Sequence, residues 1–146
     1  MLDLHPGFWA ALFGWLFAQL IKMMTCLVRS KKLDFSYIVS TGGMPSAHTS
    51  MACALATTIG LIEGFNSATF VISVVFASVV MFDAQSVRKA AGEQAKLLNQ
   101  IIDEILTEQH FSEKKLKELL GHTRLEVLGG VITGISSSHI ILFFLL

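Results

Sequence analysis

Two histidines of this chain stand in settings suited to nucleophilic or acid–base chemistry beside a bound anion. His122 precedes Glu126 by four residues, so on a helix beginning near His122 the carboxylate can accept an N–H from the imidazole. A carboxylate so placed fixes the ring tautomer and stabilises its charged form, as a basic or nucleophilic histidine requires. His48 closes the stretch Gly42-Gly43-Met44-Pro45-Ser46-Ala47-His48. Its glycines let the backbone turn tightly or approach a ligand closely, and Pro45 suits the first turn of a helix. The stretch is therefore a loop feeding a helix N-terminus, whose open N–H groups and positive dipole end favour an anion. Lys22 and Arg29, seven residues apart, fall on one side of a helix with Gln19 and Cys26. Each group taken singly also has a plainer reading: a helix start with a surface histidine, a capping histidine with a surface glutamate, a snorkelling lysine.

The elements that must position these groups are apolar. Of 146 residues, 53% are hydrophobic and 15% charged, and the mean hydropathy is +0.63, a composition of one membrane-embedded domain over residues 1–146. A net charge of zero argues against nucleic acid as a partner. Cys26 and Cys53 fall in apolar runs and read as packing residues rather than a disulfide framework.

Four apolar runs reach spanning or near-spanning length. Span one covers about Phe8 to Val28, span two Ser46 to Ile62, span three Ala68 to Phe82, and span four Val127 to Leu146. Span two is short and rich in Ala and Thr, which places it inside the bundle. Span three is β-branched and would suit a buried strand in water, but its neighbours argue for a helix. Between spans three and four the chain turns polar, with seven basic and six acidic residues from Arg88 to Arg124. Val87, Ala91, Ala95, Leu98, Ile102 and Ile105 recur at helical spacing, so an amphipathic helix is expected, its apolar face on the membrane interface or capping the bundle. A shorter helix is expected from Ser112, stopped by Gly121.

The fold class expected is thus all-α: an integral membrane helical bundle with about four spans plus a cytoplasmic amphipathic helix. With both termini outside, all eleven basic residues fall at or beyond the cytoplasmic span ends, as the positive-inside bias requires. Three spans with a re-entrant span two are the alternative. The glycine loop, Lys22 with Arg29, the segment Asp83 to Arg88, and His122 with Glu126 then meet at one membrane face. His139, seventeen residues beyond His122 and so roughly 25 Å along a helix, falls at the far side and is expected to bond between helices with Ser136, Ser137 and Ser138. His5 lies at that side too, and His110 in a polar helix end.

These residues resemble the three motifs of the type 2 phosphatidic acid phosphatase superfamily, which includes the vanadium haloperoxidases, and in particular its divergent branch. The motif K-x6-R-P reads Lys22-x6-Arg29 with Ser30 for Pro; P-S-G-H reads Pro45-Ser46-Ala47-His48; and H-x3-D reads His122-x3-Glu126. The Ser-Arg that opens the third motif is absent, with Leu116 six residues before His122. The resemblance extends through STGGMPSAHTS, MFDAQSVRKAAGEQAKLLN and LLGHTRLEV, most of the chain from Gln19 to Gly130.

The resemblance implies a phosphomonoesterase that needs no metal and no cofactor. By it, Lys22, Arg29, Ser46 and the backbone around Gly43 hold phosphate, with Arg88 as the replacement for the missing arginine and Arg124 second. His122 attacks phosphorus and becomes a phosphohistidine, Glu126 orients it, and His48 protonates the leaving alcohol and then activates water. Asp83 either holds Arg88 or ends span three. The substrate implied is a lipid phosphate or isoprenyl diphosphate at the cytoplasmic face of a bacterial inner membrane, with membrane lipids around the chain and a homo-oligomer as a further partner. Two other classes stand beside this: a non-catalytic membrane protein with a retained anion pocket, and a small transporter subunit in which Lys22 and His139 line a path.

Overall fold

A computed structural model of the chain describes residues 4–30, 43–106 and 121–145, all helices and short turns. Five helices follow in order: α1 Pro6–Ser30, α2 Ala47–Glu63, α3 Ala68–Phe82, α4 Arg88–Leu106 and α5 Arg124–Leu145. Lys31, Lys32, His110, Leu116 and the helix expected from Ser112 lie outside the described residues, and of Arg29 and Arg88 only the backbone is described.

Apolar length sets the spans. Pro6–Val28, Ala68–Asp103 and Arg124–Leu145 are long and apolar enough to cross a membrane. The 17 residues of α2 rise only roughly 25 Å, short of a hydrocarbon core of about 30 Å. Yet α2 runs from one end of the bundle to the other. Its first turn adjoins the start of α5, where the Ser46 N–H donates to the Glu126 carbonyl at 2.9 Å. Its last residue, Glu63, meets His5 at the start of α1, Nε2 to Oε1 3.3 Å. The chain then turns at Gly64, φ 91°, and returns as α3. α2 therefore does not fold back within the bundle, since its two ends lie at opposite ends of it. Residues 4 and 145 accordingly lie at the same end.

The bundle is built on small residues around α2, which packs on α1, α3 and α5. In lipid there is little hydrophobic drive between helices, so close backbone approach and interhelical hydrogen bonds carry association. On α1 the stripe Ala10, Gly14, Ala18 and Lys22 faces inward, and the Ser50 hydroxyl donates to the Gly14 carbonyl at 2.8 Å. α5 lies parallel to α2: a Cβ on Gly130 would stand 2.6 Å from the Ser46 carbonyl oxygen, and Thr58 Oγ1 and Ser138 Oγ share a hydrogen bond of 2.7 Å. α3 is peripheral, with only Ser73 and Ala77 buried. Its β-branched run is helical, as a segment that must satisfy its own backbone in lipid has to be.

α3 ends at Phe82 with Asp83 as its C-cap, and one π-helical turn, Asp83–Val87, leads on into α4. Two expectations need correction. The apolar face of α4 does not cap the bundle, because Val87, Leu97, Leu98 and Ile101 are exposed while Gly92 and Asn99 are buried. And His139 makes no interhelical bond with the serines. It is exposed, and its Nδ1 is 2.9 Å from the Ile135 carbonyl of its own helix.

Candidate functional site

His122 is held from three directions. Gly121 lets its turn press on α4, where a Cβ would meet the Lys89 backbone nitrogen at 2.6 Å. The His122 N–H donates to the Ala84 carbonyl at 2.9 Å. A π turn breaks the regular i→i−4 pattern, and here it supplies a carbonyl that anchors another segment. Downstream, Thr123 and Glu126 form a capping box at the start of α5: the Glu126 N–H donates to Thr123 Oγ1 at 3.3 Å and the Thr123 N–H to Glu126 Oε2 at 2.8 Å. That same carboxylate oxygen lies 3.3 Å from His122 Nδ1. A carboxylate only accepts, so Nδ1 carries the proton and the ring's basic lone pair is on Nε2. The His122 side chain is 2% exposed and that of Glu126 21%.

Lys22 and Ser46 are buried beside this corner. Lys22 is 3% exposed, and Glu126 is the carboxylate whose charge acts on it. Ser46 is 0% exposed and is the N-cap of α2, its Oγ accepting from the Thr49 N–H at 3.4 Å and the Thr49 hydroxyl at 3.0 Å. Pro45 therefore stands one residue outside the helix and not in its first turn as expected, and the Met44–Pro45 peptide is cis. Gly43 has φ 91°, a conformation that favours glycine. His48 lies in the first turn of α2, at the same end of the bundle as His122, with its side chain exposed.

A cavity of about 480 Å³ opens onto His122. One wall is a face of α4, Lys89, Gly92, Glu93 and Lys96, and the other is the turn from Gly121 to Arg124, with Gln85 and Ser86 of the π turn at its head. The Lys89 ammonium pairs with Glu93 at 3.8 Å. Of the cations weighed from the sequence, Arg124 lines this cavity; Lys89 and Lys96 line it unannounced. The signal for them was present, since 89, 92, 93 and 96 follow helical spacing, but the apolar set on α4 follows it too.

Neither Cys26 nor Cys53 lines the cavity. No solved structure matches the chain. A curated relative, the "Uncharacterized membrane protein YuiD" of Bacillus subtilis (strain 168), is 41% identical over 140 residues, covering 88% of this chain and 89% of the relative. The sequence profile described as "Divergent PAP2 family" matches residues 4–137, nearly the whole chain. The chain therefore belongs to the divergent PAP2 family of membrane proteins.

Proposed function

We propose that this protein is a lipid phosphatase that transfers a headgroup phosphoryl to His122 and then to water. The observation that carries the reading is a buried imidazole, oriented by Glu126 so that its lone pair is on Nε2, at the wall of a cation-lined cavity at the basic end of a membrane bundle. In the first step Nε2 forms a bond to phosphorus as the P–O bond to the lipid breaks, and His48 gives its proton to the departing oxygen. In the second, His48 takes a proton from water, whose oxygen attacks phosphorus, and the N–P bond breaks to release inorganic phosphate. Lys22, Arg29 and Arg124 are the cations for the transferring group, and Glu126 stabilises the imidazolium character that develops on His122. Arg88 remains in the proposed set as the replacement for the missing third-motif arginine, and Ser46 and Gly43 by family resemblance.

The test is phosphate release from phosphatidic acid, phosphatidylglycerophosphate and an isoprenyl diphosphate by detergent-purified protein in EDTA. Release that His122→Ala and His48→Ala each abolish is the expected result. Full turnover by both variants, or release that depends on a divalent ion, would contradict it.

A second reading, anion binding without turnover, is favoured by one observation: the Ser46 hydroxyl is wholly buried and engaged in capping α2. Under that reading orthovanadate binds the protein while no lipid phosphate is hydrolysed.

A further inference from the structure

The α4 wall of the cavity is assigned no role by the family motifs. Lys89, Gly92, Glu93 and Lys96 are spaced i, i+3, i+4 and i+7, so one face of α4 is turned to the turn that carries His122. Gly92 is buried in the middle of that face. Lys89 and Lys96 are separated by two turns, about 10 Å of helix, a stride wider than one phosphate tetrahedron. With Arg124 opposite, three cations face one carboxylate, Glu93, among the described residues, and that carboxylate pairs with Lys89 at 3.8 Å. The volume, about 480 Å³, is that of a small-molecule pocket and exceeds what a single phosphate fills. The surplus charge and the length lie along α4, away from Lys22 and Ser46, which do not line the cavity.

We infer that the α4 wall is a second anion subsite, so that the site takes a diphosphate group, with one phosphorus at His122 and the other between Lys89 and Lys96. This rests on His122 as the phosphoryl acceptor for the orientation of the ligand, but not for its binding. Lys89 and Lys96 are then specificity-determining residues: they favour a diphosphate over a monophosphate. Glu93 opposes them, as a carboxylate beside an anion must.

The experiment is calorimetric titration of the full chain in detergent, in EDTA, with inorganic pyrophosphate and orthophosphate. The wild type is expected to bind pyrophosphate at least about tenfold more tightly, a difference of about 1.4 kcal/mol. In Lys89→Gln/Lys96→Gln the preference is expected to vanish; in Lys89→Arg/Lys96→Arg it persists, and in Glu93→Gln it grows. Equal affinities in the wild type, or a preference that survives the double glutamine variant, would overturn the subsite. Both lysines are exposed, so the variants are expected to keep the wild-type melting temperature, which is measured alongside. Displacement of bound pyrophosphate by farnesyl diphosphate separates the sources: a lipid that competes more strongly than the free anion marks a membrane headgroup, and equal competition marks a soluble diphosphate. A preference that depends on these lysines in a protein that hydrolyses nothing would keep the subsite and remove the phosphatase reading. Turnover that needs His122 without any preference would do the reverse.

Discussion

The two ends of the bundle each hold a histidine and a glutamate 3.3 Å apart, and they could hardly be used more differently. At the end where the chain begins, the Gly7 N–H donates to His5 Nδ1, which leaves Nε2 as the protonated nitrogen facing Glu63. That lone pair is committed to the first turn of α1. Glu63 also accepts from Thr69, so the pair ties α1, α2 and α3 together in a setting where the His5 side chain is 49% exposed. At the basic end the tautomer is reversed. Nδ1 of His122 faces the carboxylate, the lone pair is on Nε2, the ring is 2% exposed, and the cavity it borders is lined by Lys89, Lys96 and Arg124 with Glu93. The same two residue types make a clasp in one place and a candidate nucleophile in the other. Tautomer, burial and neighbouring charge account for the difference.

The sharpest way to break this contrast is to remove each ring in turn. His122→Ala is expected to lower phosphate release by at least about 10³-fold, the scale on which nucleophiles and general bases act, whereas His5→Ala should leave the rate within about twofold. Equal losses in the two would erase the distinction. Glu126→Gln sharpens it: the amide oxygen still accepts the Thr123 N–H, so α5 stays capped, but the charge behind the imidazole is gone. A fall of about 10² to 10⁴ in turnover at an unchanged melting temperature is expected, and a fall explained wholly by unfolding would assign Glu126 to the cap alone.

Packing offers a parallel test. At the basic end a Cβ on Gly130 meets the Ser46 carbonyl oxygen at 2.6 Å, a backbone atom; towards the opposite end a Cβ on Gly60 meets the rings of Phe65, in the turn, and Phe70, in α3, at 2.8 Å, both side chains. Gly130→Ala is expected to destabilise by about 1–3 kcal/mol in a detergent unfolding titration, with Gly60→Ala the milder of the two. The smallest effect expected is in the Thr58–Ser138 hydrogen bond. A double-mutant cycle of Thr58→Val with Ser138→Ala should return a coupling of about 0.6 kcal/mol, and a value indistinguishable from zero would show that this hydrogen bond adds nothing to the small-residue contact around it.

What could be read from the sequence follows the range of each interaction. The His122–Glu126 pair was legible because it is closed within one helical turn and needs no partner from afar. α3 was legible to its bounds, Ala68–Phe82, because a Ser N-cap and a polar boundary frame one apolar run. α2 was legible as an interior helix because its Ala, Ser and Thr content suits close packing and not lipid. The orientation of α4 was not. It carries two helical stripes, one apolar and one of Lys89, Gly92, Glu93 and Lys96, and the rule that apolar faces turn inward holds in water but not beside a membrane. His139 was misjudged by one step of rotation: Ser138 faces α2, and the next residue, about 100° further round, faces out. The π turn that presents Ala84 to His122 left no mark in the residue types of Asp83 to Val87.

The most direct test of the central claim is to quench the full chain with base during turnover of a phosphorus-labelled lipid phosphate and to locate the label by peptide mass spectrometry. A phosphoryl group on His122, absent in His122→Ala and longer-lived in His48→Ala, is the result expected. Hydrolysis that proceeds with no label on His122, or with the label on another residue, would contradict it.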